Sequence, residues 1–144
     1  MPTTRAAAGW QATAIAIGER AVLIEGPPGC GKSSLALALI DRGASLIGDD
    51  GVALEAAGAR LVVRPHPRTR GLIEVRNVGL VTMPVREEAL AALVILLDPA
   101  APRFVEATET VLRAGVALPM LRLWPESPVL AIRAELALRQ HGLG

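Results

Sequence analysis

Short apolar runs, broken by glycine, proline and charged turns, dominate this chain, and one clear helical period interrupts them. Ala12 to Ile17 and Ala21 to Glu25 are apolar runs joined by Gly18-Glu19-Arg20, a spacing that predicts a tight strand pair. The second run leads straight into a glycine-rich loop. From Lys32 to Arg42 the residues Leu35, Ala36, Leu39 and Ile40 recur at helical spacing, and Gly43 stands where a helix ends in a left-handed turn. Ser45 to Gly48 is a short apolar strand that runs into Asp49-Asp50. Val52 to Leu54 and Arg60 to Arg64 flank Ala57-Gly58 as a further hairpin, and Leu72 to Val75 and Val78 to Thr82 read as strands around Arg76-Asn77.

The later pattern predicts a helical turn at Arg86 to Leu90, then a buried strand from Leu93 to Leu97 closed by Asp98-Pro99. Thr110 to Arg113 and Val116 to Leu123 follow. A C-terminal helix runs from about Ser127 to Arg139, with Ser127-Pro128 as N-cap and first helical residue. Residues 1 to 9 read as a loose tail ahead of a single α/β domain spanning residues 1 to 144.

Composition narrows the function classes. Half the residues are hydrophobic, yet the aromatics are only Trp10, Phe104 and Trp124, so the core must be built from Ala, Val, Leu and Ile. The stacking platforms of single-strand binding are missing, and a net charge of +1 with scattered Arg gives no basic stripe. Nucleic acid is not the expected partner. One cysteine, Cys30, excludes an internal disulfide, and His66 and His141 share no ligand spacing. The start lacks a signal-peptide core, and the apolar run Ala89 to Leu97 is too short to span a bilayer. The expectation is a soluble, cytoplasmic protein with no membrane span.

The glycine loop carries the chemistry. Gly26-Pro27-Pro28-Gly29-Cys30-Gly31-Lys32-Ser33 fits the G-x-x-x-x-G-K-[ST] pattern of a phosphate-binding P-loop, between a strand and a helix as that motif demands. Lys32 is the only lysine; the other fourteen cationic side chains are Arg. An ammonium is a compact point charge that can sit between β- and γ-phosphates, where a planar guanidinium fits poorly. Pro27 and Pro28 lack N–H groups, so the phosphate donors must come from Gly29 onward, through Cys30 and Gly31 to Ser34 at the start of the helix. Lys32 would bridge the terminal phosphates and Ser33 would hold Mg²⁺, which makes ATP and Mg²⁺ the expected ligands.

Asp49-Asp50 ends a strand, the usual place for a carboxylate that organises metal or water in P-loop proteins. One of the two could accept a proton from a hydroxyl substrate. Taken alone, the pair is an acidic turn before Gly51. Asp98 ends a second apolar strand and is a rival, although Pro99 after it suits a plain strand exit. The Cys30 thiol, placed in the loop, is a candidate for modification that would close the site.

These marks together resemble the catalytic domain of the HPr serine kinase/phosphorylase family, in a short form without the N-terminal domain. The resemblance rests on Gly26 to Ser33 with Ser34-Leu35-Ala36-Leu37, on Asp41-Arg42-Gly43, on Leu46-Ile47-Gly48-Asp49-Asp50, and on Gly71-Leu72-Ile73-Glu74-Val75-Arg76-Asn77-Val78-Gly79. It implies a P-loop α/β domain with a mixed sheet and extra hairpins, of the HPr kinase/phosphoenolpyruvate carboxykinase kind. It further implies Asp50 as proton acceptor assisted by Asp49, Lys32 on the transferring phosphate, Ser33 and Glu74 as Mg²⁺ ligands, and Arg76 orienting phosphate or partner. The implied partner is a small HPr-like phosphocarrier protein, and the implied assembly is a homo-oligomer, a hexamer.

Three departures stand out. Gln11 occupies the position of the family's histidine and cannot titrate near neutral pH. Asn77 replaces a glycine, and asparagine tolerates a left-handed backbone better than other residues. The Pro- and Arg-rich segment used in dephosphorylation has no match near the C-terminus. Serine-kinase chemistry is therefore expected and phosphorylase chemistry is not. The alternatives are a nucleotide-responsive regulatory module, a kinase for a small hydroxyl compound, and a generic nucleoside-phosphate kinase. For a protein substrate, the Arg64 to Arg76 region, with Arg68 and Arg70, is the expected docking surface.

Overall fold

A computed structural model describes residues 8–144. The elements in order are β1 (Ala8–Trp10), β2 (Thr13–Ile17), β3 (Arg20–Glu25), α1 (Lys32–Asp41), β4 (Ser45–Gly48), β5 (Val52–Ala57), β6 (Arg60–Pro65), β7 (Leu72–Val75), β8 (Gly79–Thr82), β9 (Ala89–Leu97), β10 (Glu109–Arg113), β11 (Val116–Leu123) and α2 (Leu130–His141). Nine strands form one mixed sheet in the order β1-β5-β6-β9-β3-β2-β4, with β11 also on β9 and β10 on β11; β7 and β8 form a separate pair.

Strand β9 organises the sheet. It is buried nearly throughout, as its unbroken apolar sequence requires of a strand covered on both faces. One edge pairs in parallel with β3; the other is shared, by β6 at Ala89 and Leu90 and by β11 from Val94 to Leu97. Two strands on one edge force the sheet to curl. A bulge relieves the β3–β9 register, where Ala21 faces Ala91 and the next pair is Val22 with Leu93. The extra residue, Ala92, offers its carbonyl to the N–H of Leu143 at 2.9 Å, so the bulge is satisfied by the chain beyond α2.

Alternation along β3 and β9 builds two cores. Val22, Ile24, Leu93, Ile95 and Leu97 point to the face covered by α1 and α2, where they meet Leu35, Leu39 and Leu138. Leu23 and Val94 point to the other face, which β5, β6 and β11 close with Leu54, Leu61 and Leu118. Helix α1 ends as expected: Gly43 has φ +112, its N–H reaches Ile40, and the N–H of Ala44 reaches Leu39 at 3.0 Å.

The hairpins at β2–β3 and β5–β6, and the β7–β8 pair, match the sequence reading. Three expectations are corrected. Ala8 and Gly9, taken for tail, pair with Leu54 and Ala53 in β1; residues 1–7 lie outside the described region. The helical turn at Arg86 to Leu90 is extended: Arg86 N–H donates to Leu46, Val85 bridges Leu46, and β9 starts at Ala89. Glu87 and Glu88 there are held by Arg70 and Arg64, not by a helical period. Finally, α2 begins at Leu130, because Ser127 accepts the Val129 N–H at 3.2 Å and closes a separate turn.

Candidate active site

The loop between β3 and α1 is shaped by its glycines. Gly29 and Gly31 have φ of +80 and +103, in the left-handed region that side chains avoid, with open space around each. Gly26, with φ +150, is restricted by contact as well: a Cβ there would stand 2.6 Å from the Cys30 sulfur and 3.2 Å from the Leu97 carbonyl. The Cys30 thiol thus packs inward against Gly26 and the core, away from the cleft. Lys32 Nζ donates to the carbonyls of Gly26 at 2.8 Å and Pro27 at 3.2 Å, which anchors its stem across the loop.

Helix α1 begins at Lys32 with no side-chain cap and no acidic residue in its first turn. Its first N–H groups therefore face the cleft with the positive end of the helix dipole. This is the donor set that an anion would satisfy.

The cleft in front of this helix end has a volume of about 260 Å³. Pro28, Gly29, Gly31, Lys32, Ser33 and Ser34 form one wall; Asp49, Asp50, Glu74, Arg76, Gln11 and Thr13 form the rest. Gly26, Pro27 and Cys30 do not line the cleft; the first two hold Lys32 through their carbonyls. The residues expected to carry chemistry, drawn from α1, the end of β4 and the β7 strand, are thus brought to one place.

Asp49 is the hub. Only 8 % exposed, it accepts the Ser33 hydroxyl at 2.6 Å and the Thr13 hydroxyl at 3.0 Å on Oδ1, and the Glu74 N–H at 3.0 Å on Oδ2. One carboxylate therefore ties α1, β2 and β7 together. Asp50 is exposed at the rim with φ +57, and its N–H donates to Thr13 Oγ1 at 3.3 Å. A left-handed aspartate costs backbone energy, of order 1 kcal/mol, and the surrounding turn imposes it. Gly48 cannot carry a side chain there, because a Cβ would collide with the Gly51 carbonyl.

Thr13 was not anticipated. Fully buried, it donates to the Asp49 carboxylate and accepts from the Asp50 backbone N–H, and so ties that carboxylate to the backbone of the Asp50 turn. Its only sequence signal is a single hydroxyl inside an apolar run. Asn77 does take the left-handed turn expected of it, with φ +68.

Other expectations are revised. Asp98 ends β9 but accepts the Ala100 N–H at 2.8 Å and pairs with Arg122 at 3.0 Å, so it is closed off from the cleft. The proposed docking arginines are partly neutralised: Arg64 is paired with Glu55 and Glu88, and Arg70 with Glu87. Among the described residues Arg68 and Arg76 make no ion pair, and no three His, Cys, Asp or Glu side chains converge as a metal cluster.

The sequence profile described as HPr Serine kinase C-terminal domain matches residues 6–87, more than half of the chain. The chain belongs to the HPr serine kinase C-terminal domain family. A HPr kinase/phosphorylase of Neisseria meningitidis is 48 % identical over 66 residues, covering 45 % of this chain and 21 % of that protein. One from an Exiguobacterium strain is 43 % identical over 61 residues, covering 42 % of this chain and 20 % of that protein. The matches thus span about one fifth of these relatives' length. The solved structure of the HPr(Ser) kinase/phosphatase from Coxiella burnetii superposes with a TM-score of 0.81 at 28 % identity, over 93 % of this chain and 90 % of that one. The mixed α/β architecture with its curled sheet is therefore that of the family. No described helix is long and apolar enough to cross a membrane.

Proposed function

We propose that this chain is a kinase that transfers the γ-phosphoryl group of ATP to a serine hydroxyl of a small HPr-like phosphocarrier protein. The single observation that carries the reading is the Asp49 hub, which locks Ser33, at the uncapped start of α1, to the turn that presents Asp50.

Mg²⁺ fits the oxygen-rich pair Ser33 and Glu74 beside the phosphate wall, and when bound it would neutralise phosphate charge. The N–H groups of Lys32, Ser33 and Ser34 bind phosphate oxygens, and Lys32 Nζ leaves its loop carbonyls for the β- and γ-phosphates. Asp50 takes the proton of the attacking serine hydroxyl as the serine O–P bond forms and the bond to the β-phosphate oxygen breaks, with ADP departing. Arg76 balances charge at the open side of the cleft. Asp49 holds Ser33 and Asp50 in register and stays clear of the reacting atoms. Positioning and electrostatics supply most of the rate, as is general for phosphoryl transfer.

Gln11 lines the cleft where the family has histidine. It favours the forward kinase direction over phosphorolysis, and it is also the observation that favours the second reading, a nucleotide-responsive module without transfer. The deciding experiment is transfer of labelled γ-phosphate from Mg·ATP to a cognate HPr-like protein. Label on a carrier serine, lost in Lys32→Ala and reduced about 10²- to 10⁴-fold in Asp50→Asn, supports the kinase. Tight ATP binding with no label on the carrier supports the regulatory module, and label on a small hydroxyl compound instead moves the substrate class.

A further inference from the structure

Trp10, Glu25 and Arg113 do not line the cleft, yet Trp10 directly precedes Gln11 of its lining and Glu25 directly precedes the glycine loop. Arg113 Nε and Nη2 donate to Glu25 at 2.9 and 2.6 Å, a bidentate pair whose side chains are only 15 % and 13 % exposed. Trp10 Nε1 donates to the same carboxylate at 3.0 Å, and the Arg113 guanidinium lies 4.9 Å from the Trp10 ring centroid. Each partner comes from a different element: β1, β3 and β10.

Two features give this cluster leverage. Glu25 is followed at once by Gly26, whose carbonyl receives Lys32 Nζ, and Trp10 is followed by Gln11 and then by Thr13. Both walls of the cleft thus leave the cluster within three residues. Arg113 itself is held at the tip of the β10–β11 hairpin by a turn in which Ala114 and Gly115 have φ of +49 and +81. That tight turn allows little sliding, and Arg113 also donates to the Leu112 carbonyl at 2.8 Å. The hairpin lies beyond the segment matched by the family profile, residues 6–87.

We propose that Arg113 is a positioning residue for the nucleotide site: by clamping Glu25 and Trp10 it couples the β10–β11 hairpin to the glycine loop. The proposal rests on the nucleotide-binding reading given above. Coupling of this kind is reciprocal, so nucleotide on the loop must tighten the hairpin as much as the clamped hairpin tightens nucleotide. A pair that merely stabilises the fold would show no such exchange between the two.

The test uses the full chain with Trp124→Phe, which leaves Trp10 as the sole fluorophore. Mg·ATP binding is measured by calorimetry, Trp10 by emission, and the Leu112 to Val116 amides by hydrogen exchange with and without ATP. ATP is expected to shift Trp10 emission and to slow exchange at the hairpin tip. Arg113→Met should weaken ATP binding about 5- to 30-fold and remove both responses, and Arg113→Lys should restore part of the affinity. If Arg113→Met fails to fold, the emission and exchange responses of the parent still decide. ATP binding to the parent with unchanged emission and unchanged exchange overturns the coupling and leaves the nucleotide reading intact. Absence of ATP binding to the parent overturns the nucleotide reading, and the coupling with it.

Discussion

Strands β4 and β9 both run along the sheet and both end in aspartate, but Asp49 and Asp98 meet opposite surroundings. Asp49 finds two hydroxyls and a backbone N–H, all uncharged donors on three separate elements, beside a helix N-terminus. Asp98 finds the Ala100 N–H in its own turn and the Arg122 guanidinium, already shared with Glu109. The sequence context of the two is alike; the partner decides. A carboxylate held by uncharged donors on three elements sets the geometry of those elements around the cleft, whereas one saturated by arginine is a structural pin.

The sharpest way to break this contrast is Asp49→Ala, which leaves the Thr13 hydroxyl and the Glu74 N–H without their acceptor. Loss of about 1–3 kcal/mol in urea unfolding is expected, together with loss of phosphoryl transfer in the labelled-phosphate assay. Asp98→Ala in the same assay should retain transfer within about twofold, since Asp98 lines no part of the cleft and its partners are Ala100 and Arg122. Equal losses in both would erase the distinction.

Thr13→Val probes the hub more gently, because it keeps shape and removes only the hydroxyl. Asp49 keeps Ser33 and Glu74, but the Asp50 turn loses its acceptor, so transfer should fall by about tenfold with a stability loss of about 1 kcal/mol, read by the same assay and by urea melts. Unchanged transfer would show that the Thr13 bond to the Asp50 backbone does not position that turn.

The smallest effect belongs to Asp98 and is identified by its pH dependence. The Ala100 N–H and then Arg122 hold its carboxyl below the ordinary value. A depressed carboxylate contributes stability above about pH 4, and the contribution is lost as pH falls through the depressed value. The melting temperature of Asp98→Asn should therefore lie slightly below that of the parent near neutral pH, and the two should converge in acid. A difference that stays constant into acid would detach Asp98 from this linkage.

The glycine loop and the Asp49-Asp50 turn were legible because each is contiguous: one motif of eight residues, and two carboxylates at the end of one strand. Glu74 and Arg76 were legible only through family resemblance, since a carboxylate in a short strand has no spacing signal of its own. Thr13 was hidden by its apolar neighbours. The Glu25–Arg113 pair joins positions 88 residues apart, and no local pattern encodes a contact of that reach. The fold divides likewise. Hairpins follow from their turns, but the sharing of one β9 edge by β6 and β11 arises from curling of the whole sheet. The stretch from Arg86 to Leu90 became extended because Leu46 supplied backbone partners that a sequence window does not contain.

The place of β9 has a consequence for synthesis. Strand β3, which carries the glycine loop, lies between β2, made just before it, and β9, made after five further strands and a helix. On the ribosome the nascent chain therefore displays the complete loop while one edge of its supporting strand is bare. Pairing at such a distance is slow and leaves apolar edges exposed meanwhile. The segment by which the family is recognised ends at residue 87, and β9 starts at Ala89. A fragment cut at that boundary would carry every expected phosphate contact and lack the strand that supports β3, so the chain must emerge through Leu97 before the cleft is complete.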